Sequence, residues 1–323
     1  MRVVIDLAQY QNKGQKWVVA LGNFDGVHKG HQVVITKAKE LASKLGCKVA
    51  VVTFEPHPQQ LFHPDGEPFR LTPPKVKRLF IEKLGVDTLF EIEFTQEFAQ
   101  MEAYDFVKDI LVEKLNIAGV VTGYNFHFGH NRQGTPELMA RLAEEFSFKF
   151  ECLGACKGDD GEVWSSSKVR ELLGQGQVKK AGYILGHPFV LEGEVIHGRA
   201  LGRTIGFPTA NVLPLEYLRP MHGVYAVKAK ICGEDIWRDA IANIGNRPTV
   251  SGVRVLIEVH LLDWSGDLYG QRLQTALLDF VRPEQKFENI DELKEQIQKD
   301  VAITKNILEQ YAINKLDEKR AVK

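Results

Sequence analysis

The residues of this chain whose types and spacing most clearly point to chemistry are two histidines on either side of a glycine. His28 and His31 stand in the motif His-Lys-Gly-His, which follows an apolar run at Trp17–Leu21 and a glycine-containing loop. Apolar residues then recur at helical spacing as far as Leu45, so the segment predicts a strand, a loop and a helix. Because the first turn of a helix has unpaired N–H groups and attracts anions, the pattern predicts a phosphate site. The imidazoles would donate hydrogen bonds to the charge that grows on phosphorus during transfer.

The loop that carries this motif, Gly22–Gly30, allows other interpretations. Zinc could be held by Asp25, His28 and His31, or both imidazoles could be satisfied by nearby carbonyls. No further cluster of histidine and cysteine follows at ligand spacing, so the sequence favours phosphate. The glycine at position 30 would let a phosphate approach the backbone closely.

The composition limits the classes of function that remain. With 323 residues the chain can form two domains, and 44% hydrophobic and 26% charged residues are ordinary for a soluble protein. A formal net charge of −1 offers no electrostatic footprint for nucleic acid or for an anionic membrane. We find neither a secretory signal nor an apolar run of roughly 18 residues that could span a membrane. The four cysteines are scattered, which predicts a reducing cytoplasm.

Apolar runs of strand length alternate with helical patterns in the first half of the chain. Predicted strands are 17–21, 48–55, 86–94, 117–122 and 148–153, and predicted helices after the first are 73–85, 98–115, 136–146 and 167–173. This order predicts a doubly wound, mostly parallel α/β sheet with helices on both faces. Ligands of such sheets bind beyond the carboxyl ends of the strands, so we expect the loops 22–31, 54–58 and 123–134 to share one cleft.

The pattern changes near residues 182–188, and beyond them short strands and turns take over. Predicted strands are 189–197, 223–231, 237–243, 253–262 and 273–281, followed by a helix over 291–311. Such a run of strands with turns rich in Gly, Asp and Asn indicates a small antiparallel barrel or sandwich.

Three segments outside the histidine motif carry polar groups suited to ligands, and each has a purely structural alternative. In the loop 123–134, Asn125 could hydrogen-bond a nucleotide, or the loop could simply bury its aromatic residues. Ser165–Ser167 could cradle a polyphosphate together with Arg170, or could only cap a helix. Glu258 could be a solvated residue on the outer face of its strand, or a general base aimed into the barrel.

The end of a glycine-rich segment in the second half offers neutral oxygen ligands. Thr209 and Asn211, in the motif Pro-Thr-Ala-Asn, supply a hydroxyl and an amide oxygen suited to Mg²⁺ beside phosphates. The sequence lacks the fingerprints of P-loop enzymes, protein kinases, Rossmann dinucleotide enzymes and α/β-hydrolases.

Taken in order, the motifs of both halves resemble the bacterial bifunctional riboflavin kinase/FMN adenylyltransferases, the prokaryotic FAD synthetase family. The matching segments are GNFDGVHKGH (22–31), FEPHP (54–58), GYNFHFGHNRQG (123–134), SSSKVR (165–170), GRALGRTIGFPTAN (198–211), GVYAV (223–227), NIGNRPT (243–249), the strand of Glu258, DLYG (267–270) and RPEQKF (282–287). The resemblance implies a nucleotidyltransferase-like domain at 1–183, a riboflavin kinase barrel with a C-terminal helix at 184–312, and a charged tail at 313–323.

The same resemblance implies two reactions that share ATP as co-substrate. The barrel phosphorylates riboflavin and gives FMN and ADP, and the α/β domain adenylylates FMN and gives FAD and pyrophosphate. The substrates themselves supply the nucleophiles, so each domain needs positioning, a divalent ion such as Mg²⁺ and positive charge at phosphorus. The expected partners are these small molecules, with neither nucleic acid nor a membrane among them.

By resemblance, residues of the α/β domain divide into three groups. His28 and His31 stabilise the transferring phosphate, and His57 and Asn125 lie at the flavin. Expected to bind ATP and its phosphates are Gly22, Asn23, Phe24, Asp25, Gly30, Ser165, Ser166, Ser167 and Arg170. The chain departs from the family pattern at Asn125 and His127, where many relatives carry Asp and Arg, and in its third serine and the following lysine.

In the barrel, the resemblance assigns the role of catalytic base to Glu258 and places Mg²⁺ at Thr209 and Asn211. Expected to bind ATP there are Gly198, Gly202, Arg203, Gly206, Thr209 and Asn211. Two other hypotheses remain, namely a chain in which only the kinase works and a sensor or carrier that merely holds flavin.

Overall fold

The computed structural model describes residues 1–159, 161–198, 201–214, 216–249 and 252–315. The chain divides into two compact units. The first contains Met1–Glu67 and Thr72–Ser166, and the second contains Pro68–Leu71 and the chain from Ser167 onward. The domain limits expected at residues 183 and 312 stay predictions, and the expected charged tail lies outside the described residues from 316 onward.

The first unit is built on a parallel sheet of six strands, in the spatial order β1-β4-β3-β2-β5-β6. Its strands are β1 (Arg2–Val4), β2 (Trp17–Leu21), β3 (Lys48–Glu55), β4 (Thr88–Glu93), β5 (Ile117–Gly123) and β6 (Lys149–Leu153). The parallel sheet expected from the alternation of strands and helices is therefore confirmed. The short β1 was missed, because three residues carry too little periodicity to be recognised.

Helices cover both faces of this sheet. They are α1 (Lys29–Leu45), α2 (Pro58–Phe62), α3 (Pro74–Lys83), α4 (Gln96–Ala99), α5 (Ala103–Asp105), a π-helix (Phe106–Lys114), a 3-10 helix (His130–Arg132) and α6 (Pro136–Glu145). Successive residues of β2 enter different cores: Val18 packs in the cluster that contains α1, and Val19 packs in the cluster that contains the π-helix. Burial on both faces explains why the strands of this unit are continuously apolar.

The helix predicted over 98–115 is wrong in detail. The segment contains two short helices and then the π-helix, whose last turn closes with the Leu115 N–H bonded to the Ile110 carbonyl at 2.9 Å. The π-helix still buries Phe106, Val107 and Leu111 against the core. The spacing of apolar residues therefore does not distinguish an α-helix from a π-helix here.

The second unit is a closed antiparallel barrel in the order β10-β11-β8-β7-β12-β9. Its strands are β7 (Phe189–Ile196), β8 (Ala210–Leu213), β9 (Gly223–Ile231), β10 (Arg238–Thr249), β11 (Gly252–Leu261) and β12 (Arg272–Pro283). The remaining helices are α7 (Ser166–Gly174), α8 (Val178–Leu185), α9 (Leu201–Thr204) and α10 (Ile290–Lys315). The barrel confirms one of the two predicted architectures, and β8 is the strand that the sequence analysis missed.

Helix α10 packs on the outside of the barrel against β9, β10 and β12. Leu308 of α10 joins Val224, Ile241 and Leu278 in one buried cluster. None of the helices in the described ranges has the length and hydropathy that a bilayer-spanning segment requires.

The attachment of α10 includes a buried ion pair between Arg282 of β12 and Asp300. The Arg282 guanidinium donates from Nε and from a terminal nitrogen to the Asp300 carboxylate at 2.7–3.0 Å, and Gln296 adds a bond of 2.8 Å to the same carboxylate. Asp300 is only 1% exposed.

We expect Asp300→Ala to lower the free energy of unfolding by about 3–5 kcal/mol, because the substitution leaves the Arg282 charge largely buried without its partner. The matched control is Lys305→Ala, which removes the exposed ion pair between Lys305 of the same helix and Asp263. An exposed pair contributes about 1 kcal/mol or less. Urea unfolding followed by circular dichroism measures both variants, and equal losses would contradict the role of the buried pair.

Candidate active sites

The loop that joins β2 to α1 leaves the sheet at a topological switch point. β2 lies between β3 and β5, and the chain runs from β2 through α1 to β3 on one side, whereas β5 leads through α6 to β6 on the other. The loops after β2 and β5 therefore diverge and leave a crevice at the carboxyl edge of the sheet. The segments 22–28 and 124–135 both begin at this edge.

His28 and His31 form a compact pair at the first turn of α1. His28 is the N-cap, and its Nδ1 accepts a hydrogen bond of 3.3 Å from the His31 backbone N–H. The two rings are stacked with their centroids 3.6 Å apart. The Phe24 and His31 rings pack edge to face, with their centroids 5.1 Å apart. His28 is 5% exposed. The pair is therefore held rigidly at the positive end of a 17-residue helix.

The backbone before this pair is strained. Phe24 has φ 52°, Gly26 has φ 85° and Val27 has φ 44°. A left-handed conformation costs a non-glycine residue about 1–3 kcal/mol, and a β-branched residue such as Val27 adopts it rarely. Phe24 and Val27 are 1% and 2% exposed, so packing in the core holds both residues in place.

Asp25 is turned into the protein and binds the backbone of its own unit. Its Oδ1 accepts from the Thr72 N–H at 2.9 Å and from the Thr72 hydroxyl at 3.3 Å, and the hydroxyl accepts from the Gly26 N–H at 2.9 Å. The Ser166 hydroxyl donates to the Asp25 carbonyl at 2.8 Å. Asp25 and Ser166, both expected at the phosphates, thus also contact each other.

A buried ammonium group lies behind Asn23. Lys77 of α3 is 1% exposed, and its Nζ contacts the Glu55 carboxylate at 2.6 Å, the Thr53 hydroxyl at 3.0 Å and the Asn23 carbonyl at 3.4 Å. The Thr53 hydroxyl also donates to the Asn23 carbonyl at 3.0 Å. The loop is thus fixed at Asn23 as well as at Asp25.

The lack of a side chain at Gly30 is explained by its neighbours in the protein. A Cβ at this position would stand 3.0 Å from the His28 ring and 3.1 Å from the Trp164 carbonyl. The missing side chain therefore makes room for protein atoms at the start of α1. The Lys29 ammonium lies 5.3 Å above the Trp164 ring, which brings a positive charge to the same turn.

The two residues expected at the flavin differ in exposure. His57 is buried and caps α2, where its Nδ1 accepts from the Gln59 N–H at 3.2 Å. Asn125 is exposed in the turn after β5. In the same loop Phe128 is buried in the core, 5.9 Å from the Phe106 ring, so for this aromatic residue the structural alternative applies.

The other expected phosphate ligands lie at the start of α7. Ser167 is exposed in the helix that begins at Ser166. Within the second unit, Arg170 donates from Nε to the Phe69 carbonyl at 2.9 Å, and its guanidinium lies 5.4 Å from the Phe69 ring centroid. The roles of Ser165, Ser167 and Arg170 stay predictions.

In the barrel, polar side chains from three neighbouring strands stand side by side. Asn211 of β8 pairs in register with Glu258 of β11, which pairs with Asn243 of β10. The Asn243 amide donates to a Glu258 carboxylate oxygen at 3.4 Å. We call these three residues the polar row.

The polar row lies on the outer face of the barrel. Along β11, Ile257 and Val259 are buried, whereas Glu258 and His260 are only half-buried. Ile241, on the same face of β10 as Asn243, packs in the cluster that contains Leu308 of α10. Glu258 therefore lies on the outer face, because the interior of the barrel is filled with apolar side chains. Its role as a base stays a prediction.

A second carboxylate, from Glu284, joins the polar row. The Asn243 amide donates to Glu284 at 3.3 Å as well as to Glu258, and His222 lies 4.0 Å from Glu284. Any side chain at Gly245 would overlap the Glu284 carboxylate. One amide thus links two carboxylates across the strands.

The segment 198–211, which is expected to bind ATP in the barrel, includes Asn211 of the polar row. A Cβ at Gly198 would overlap the Asn211 amide, and a Cβ at Gly202 would overlap the Phe207 carbonyl, so both glycines allow close approach of the chain. His260 contacts the Pro208 carbonyl at 2.7 Å and holds the turn before Thr209. Arg203 and Gly206 are exposed in this loop, whose residues 199–200 are outside the described ones.

Two of the four cysteines, Cys152 and Cys156, do not supply reactive thiolates. Burial raises the pKa of the Cys152 thiol above its usual range, and burial does the same for Cys156. Both thiols therefore stay protonated near neutral pH, which makes them poor nucleophiles and poor metal ligands. Within the described residues, no three side chains of His, Cys, Asp or Glu are grouped so that they could hold a metal ion.

Four residues at these sites were not recognised as such in the sequence: Thr72, Lys77, Asn243 and Glu284. Asn243 and Glu284 stand in segments that match the family motifs, so their position was visible although their contacts were not. Thr72 and Lys77 are far in sequence from the loop they contact. Thr72 is 47 residues from Asp25, and Lys77 is 54 residues from Asn23. No local pattern reveals contacts of that range.

Comparison with known proteins assigns both units. The family model for FAD synthetase matches residues 10–168, and the model for riboflavin kinase matches residues 185–308. The bifunctional riboflavin kinase/FMN adenylyltransferase of Escherichia coli is 40% identical over 301 residues, which cover 93% of this chain and 95% of that protein. The protein of the same name from Bacillus subtilis is 40% identical over 291 residues, which cover 88% and 90%.

A solved structure has the same architecture throughout. The crystal structure of a protein described as a macrolide-efflux protein from Streptococcus pneumoniae superposes with a TM-score of 0.83 at 30% identity, covering 94% of this chain and 98% of that chain. Both units, their order and the curated relatives agree, and this chain therefore belongs to the family of bifunctional riboflavin kinases/FMN adenylyltransferases.

Proposed function

We propose that this chain converts riboflavin to FMN in its barrel unit and FMN to FAD in its α/β unit, with ATP as co-substrate of both steps. The observation that supports it best is the stacked His28–His31 pair at the first turn of α1, at the switch point of the sheet. The barrel unit carries the polar row, where the carboxylate of Glu258 stands beside the side-chain amides of Asn211 and Asn243. The proposal includes a location in the cytoplasm. It also includes ADP and pyrophosphate as the products released in the two steps.

In the α/β unit an FMN phosphate oxygen attacks the α-phosphorus of ATP, and the bond to pyrophosphate breaks. His28, His31 and the positive end of α1 would stabilise the oxygens on which charge develops. The phosphate of FMN is already a nucleophile, so this step requires no protein base. Trp164 and Lys29 frame the turn at which the phosphates would lie.

In the barrel unit the terminal ribityl hydroxyl of riboflavin attacks the γ-phosphorus of ATP, and ADP leaves. A hydroxyl must lose its proton in this step, and the Glu258 carboxylate would accept it. Asn243 holds that carboxylate by its amide. Glu258 is half-buried, which keeps it accessible to a substrate.

The donor set at Thr209 and Asn211 fits a divalent ion bound together with phosphates. A hydroxyl and an amide oxygen are hard neutral ligands. Asn211 is 9% exposed, and the missing side chain at Gly198 leaves room for its amide. When bound, Mg²⁺ would neutralise charge on the transferring phosphate.

The most direct test is to incubate the purified chain with riboflavin, ATP and Mg²⁺ and to separate the flavins by chromatography with fluorescence detection. We expect FMN to appear first and FAD to follow. FMN alone would mean that only the kinase works, and bound but unconverted riboflavin would favour a sensor or carrier.

We expect the double variant His28→Ala/His31→Ala to lose FAD formation by at least about 100-fold and to keep FMN formation, because only the α/β unit loses its donors. His63→Ala changes an exposed histidine of the same unit and is the matched control. Quantifying both flavins from one reaction checks this, and undiminished FAD formation would contradict the assignment of the pair.

We expect Glu258→Gln to lower the rate of FMN formation by about 100- to 10,000-fold while added FMN is still converted to FAD, because an amide of the same shape cannot accept the hydroxyl proton. Glu194→Gln, at an exposed position on β7, serves as the control. Initial rates with riboflavin and with FMN as separate substrates measure the two steps. A variant that forms FMN at the normal rate would exclude Glu258 as the base.

A further inference from the structure

Thr72, which lies just before α3, and Lys77 of α3 both reach across to the loop that precedes His28. Both residues bind the loop from its buried side. These contacts do not involve the reacting phosphates. Thr72 is 3% exposed and Lys77 is 1% exposed. The two side chains and the loop residues they contact belong to the same compact unit.

Thr72 joins two consecutive residues of the loop. Its backbone N–H and its hydroxyl both donate to the Asp25 carboxylate, at 2.9 and 3.3 Å, and its hydroxyl oxygen accepts from the Gly26 N–H at 2.9 Å. A single hydroxyl therefore acts as donor and acceptor within the turn where φ is positive at Gly26 and at Val27.

Lys77 fixes the loop at Asn23, two residues before Asp25. Its three N–H donors match the acceptors within reach, namely a Glu55 carboxylate oxygen at 2.6 Å, the Thr53 hydroxyl at 3.0 Å and the Asn23 carbonyl at 3.4 Å. A buried ammonium group is stable only when it is paired and hydrogen-bonded in this way. The arrangement thus uses a buried charge to hold one backbone carbonyl.

These contacts matter because the loop does not favour its own conformation. Phe24 and Val27 hold left-handed backbone angles that their side chains disfavour, and such angles persist only where the surroundings impose them. His28 follows Val27 directly and caps α1, so any relaxation of the loop would displace the imidazoles and the first-turn N–H groups together.

We propose that Thr72 and Lys77 are positioning residues for adenylyl transfer, which impose the strained loop and so place His28 and the first turn of α1. The proposal rests on the proposed function of the α/β unit. A displacement of about 1 Å at a reacting group can cost about 100-fold in rate, so loss of these contacts should appear in kcat.

The test compares Thr72→Val, which keeps the shape but removes the hydroxyl, with Thr72→Ser, which keeps the hydroxyl. We expect Thr72→Val to lower kcat for conversion of FMN to FAD by about 10- to 100-fold with KM for FMN changed by less than about twofold. Thr72→Ser should recover most of the lost rate. Thr88→Val removes the hydroxyl of another buried threonine, at the opposite, amino end of β4, and should leave kcat unchanged.

FMN formation from riboflavin in the same samples reports on the other unit, and thermal unfolding reports on the stability of each variant. The proposal is overturned if Thr72→Val forms FAD at the normal rate, or if it loses no more than Thr88→Val does. It is also overturned if Thr72→Ser fails to recover the rate. Absence of FAD formation in the unaltered chain would instead overturn the proposed function itself, together with this inference.

Should Thr72→Val fold poorly, the double variant Lys77→Met/Glu55→Gln tests the second contact. It removes both charges of the buried pair at once, so no lone charge is left inside the unit. We expect the same loss of kcat with normal FMN formation. Full FAD formation by this double variant would overturn the role of Lys77.

Discussion

The turn from β2 into α1 is the constraint on which the α/β unit depends. β2 is buried along its whole length, and the segment that follows it must reverse toward the sheet and present the open end of α1 within seven residues, 22–28. The chain achieves this with left-handed angles at Phe24, Gly26 and Val27. Such a turn is maintained only because its side chains enter the core and its polar groups bind Thr72 and Lys77. The geometry at His28 therefore depends on the packing around it.

The barrel solves a related problem by different means. Its interior is closed with apolar side chains, so a polar site can be formed only on the outside or at the rim. Antiparallel register places Asn211, Glu258 and Asn243 in one row, and α10 covers the neighbouring part of the same face. The carboxylate is thereby partly shielded from water without being placed in the core, where an unpaired charge would be costly.

In the proposed function, both units would bind phosphates and neither would supply a covalent nucleophile. In the α/β unit the positive charge would come from a helix terminus and two imidazoles, and in the barrel it would come from a divalent ion beside neutral oxygens. The difference follows from the attacking groups, because a phosphate is already ionised whereas a hydroxyl must lose a proton. Only the barrel therefore needs a residue such as Glu258.

The sequence by itself determined the class of each unit, and it predicted the place of the main site. Continuous apolar runs such as Lys48–Glu55, alternation in 253–262 and the glycine-flanked histidines are local patterns, and local patterns predict strands, helices and their termini. The sequence did not predict three elements whose backbone depends on neighbours in space. They are the short strands Arg2–Val4 and Ala210–Leu213 and the π-helix Phe106–Lys114.

Only the tertiary structure decided which side chains meet. Thr72 and Asp25 are 47 residues apart in sequence, and Asn243 and Glu284 are 41 apart, so no periodicity could connect them. The direction of Glu258 was likewise undecided, because alternation separates two faces without telling which of them closes the barrel. That choice is made by the apolar interior and by α10, which pack only when the whole chain has folded.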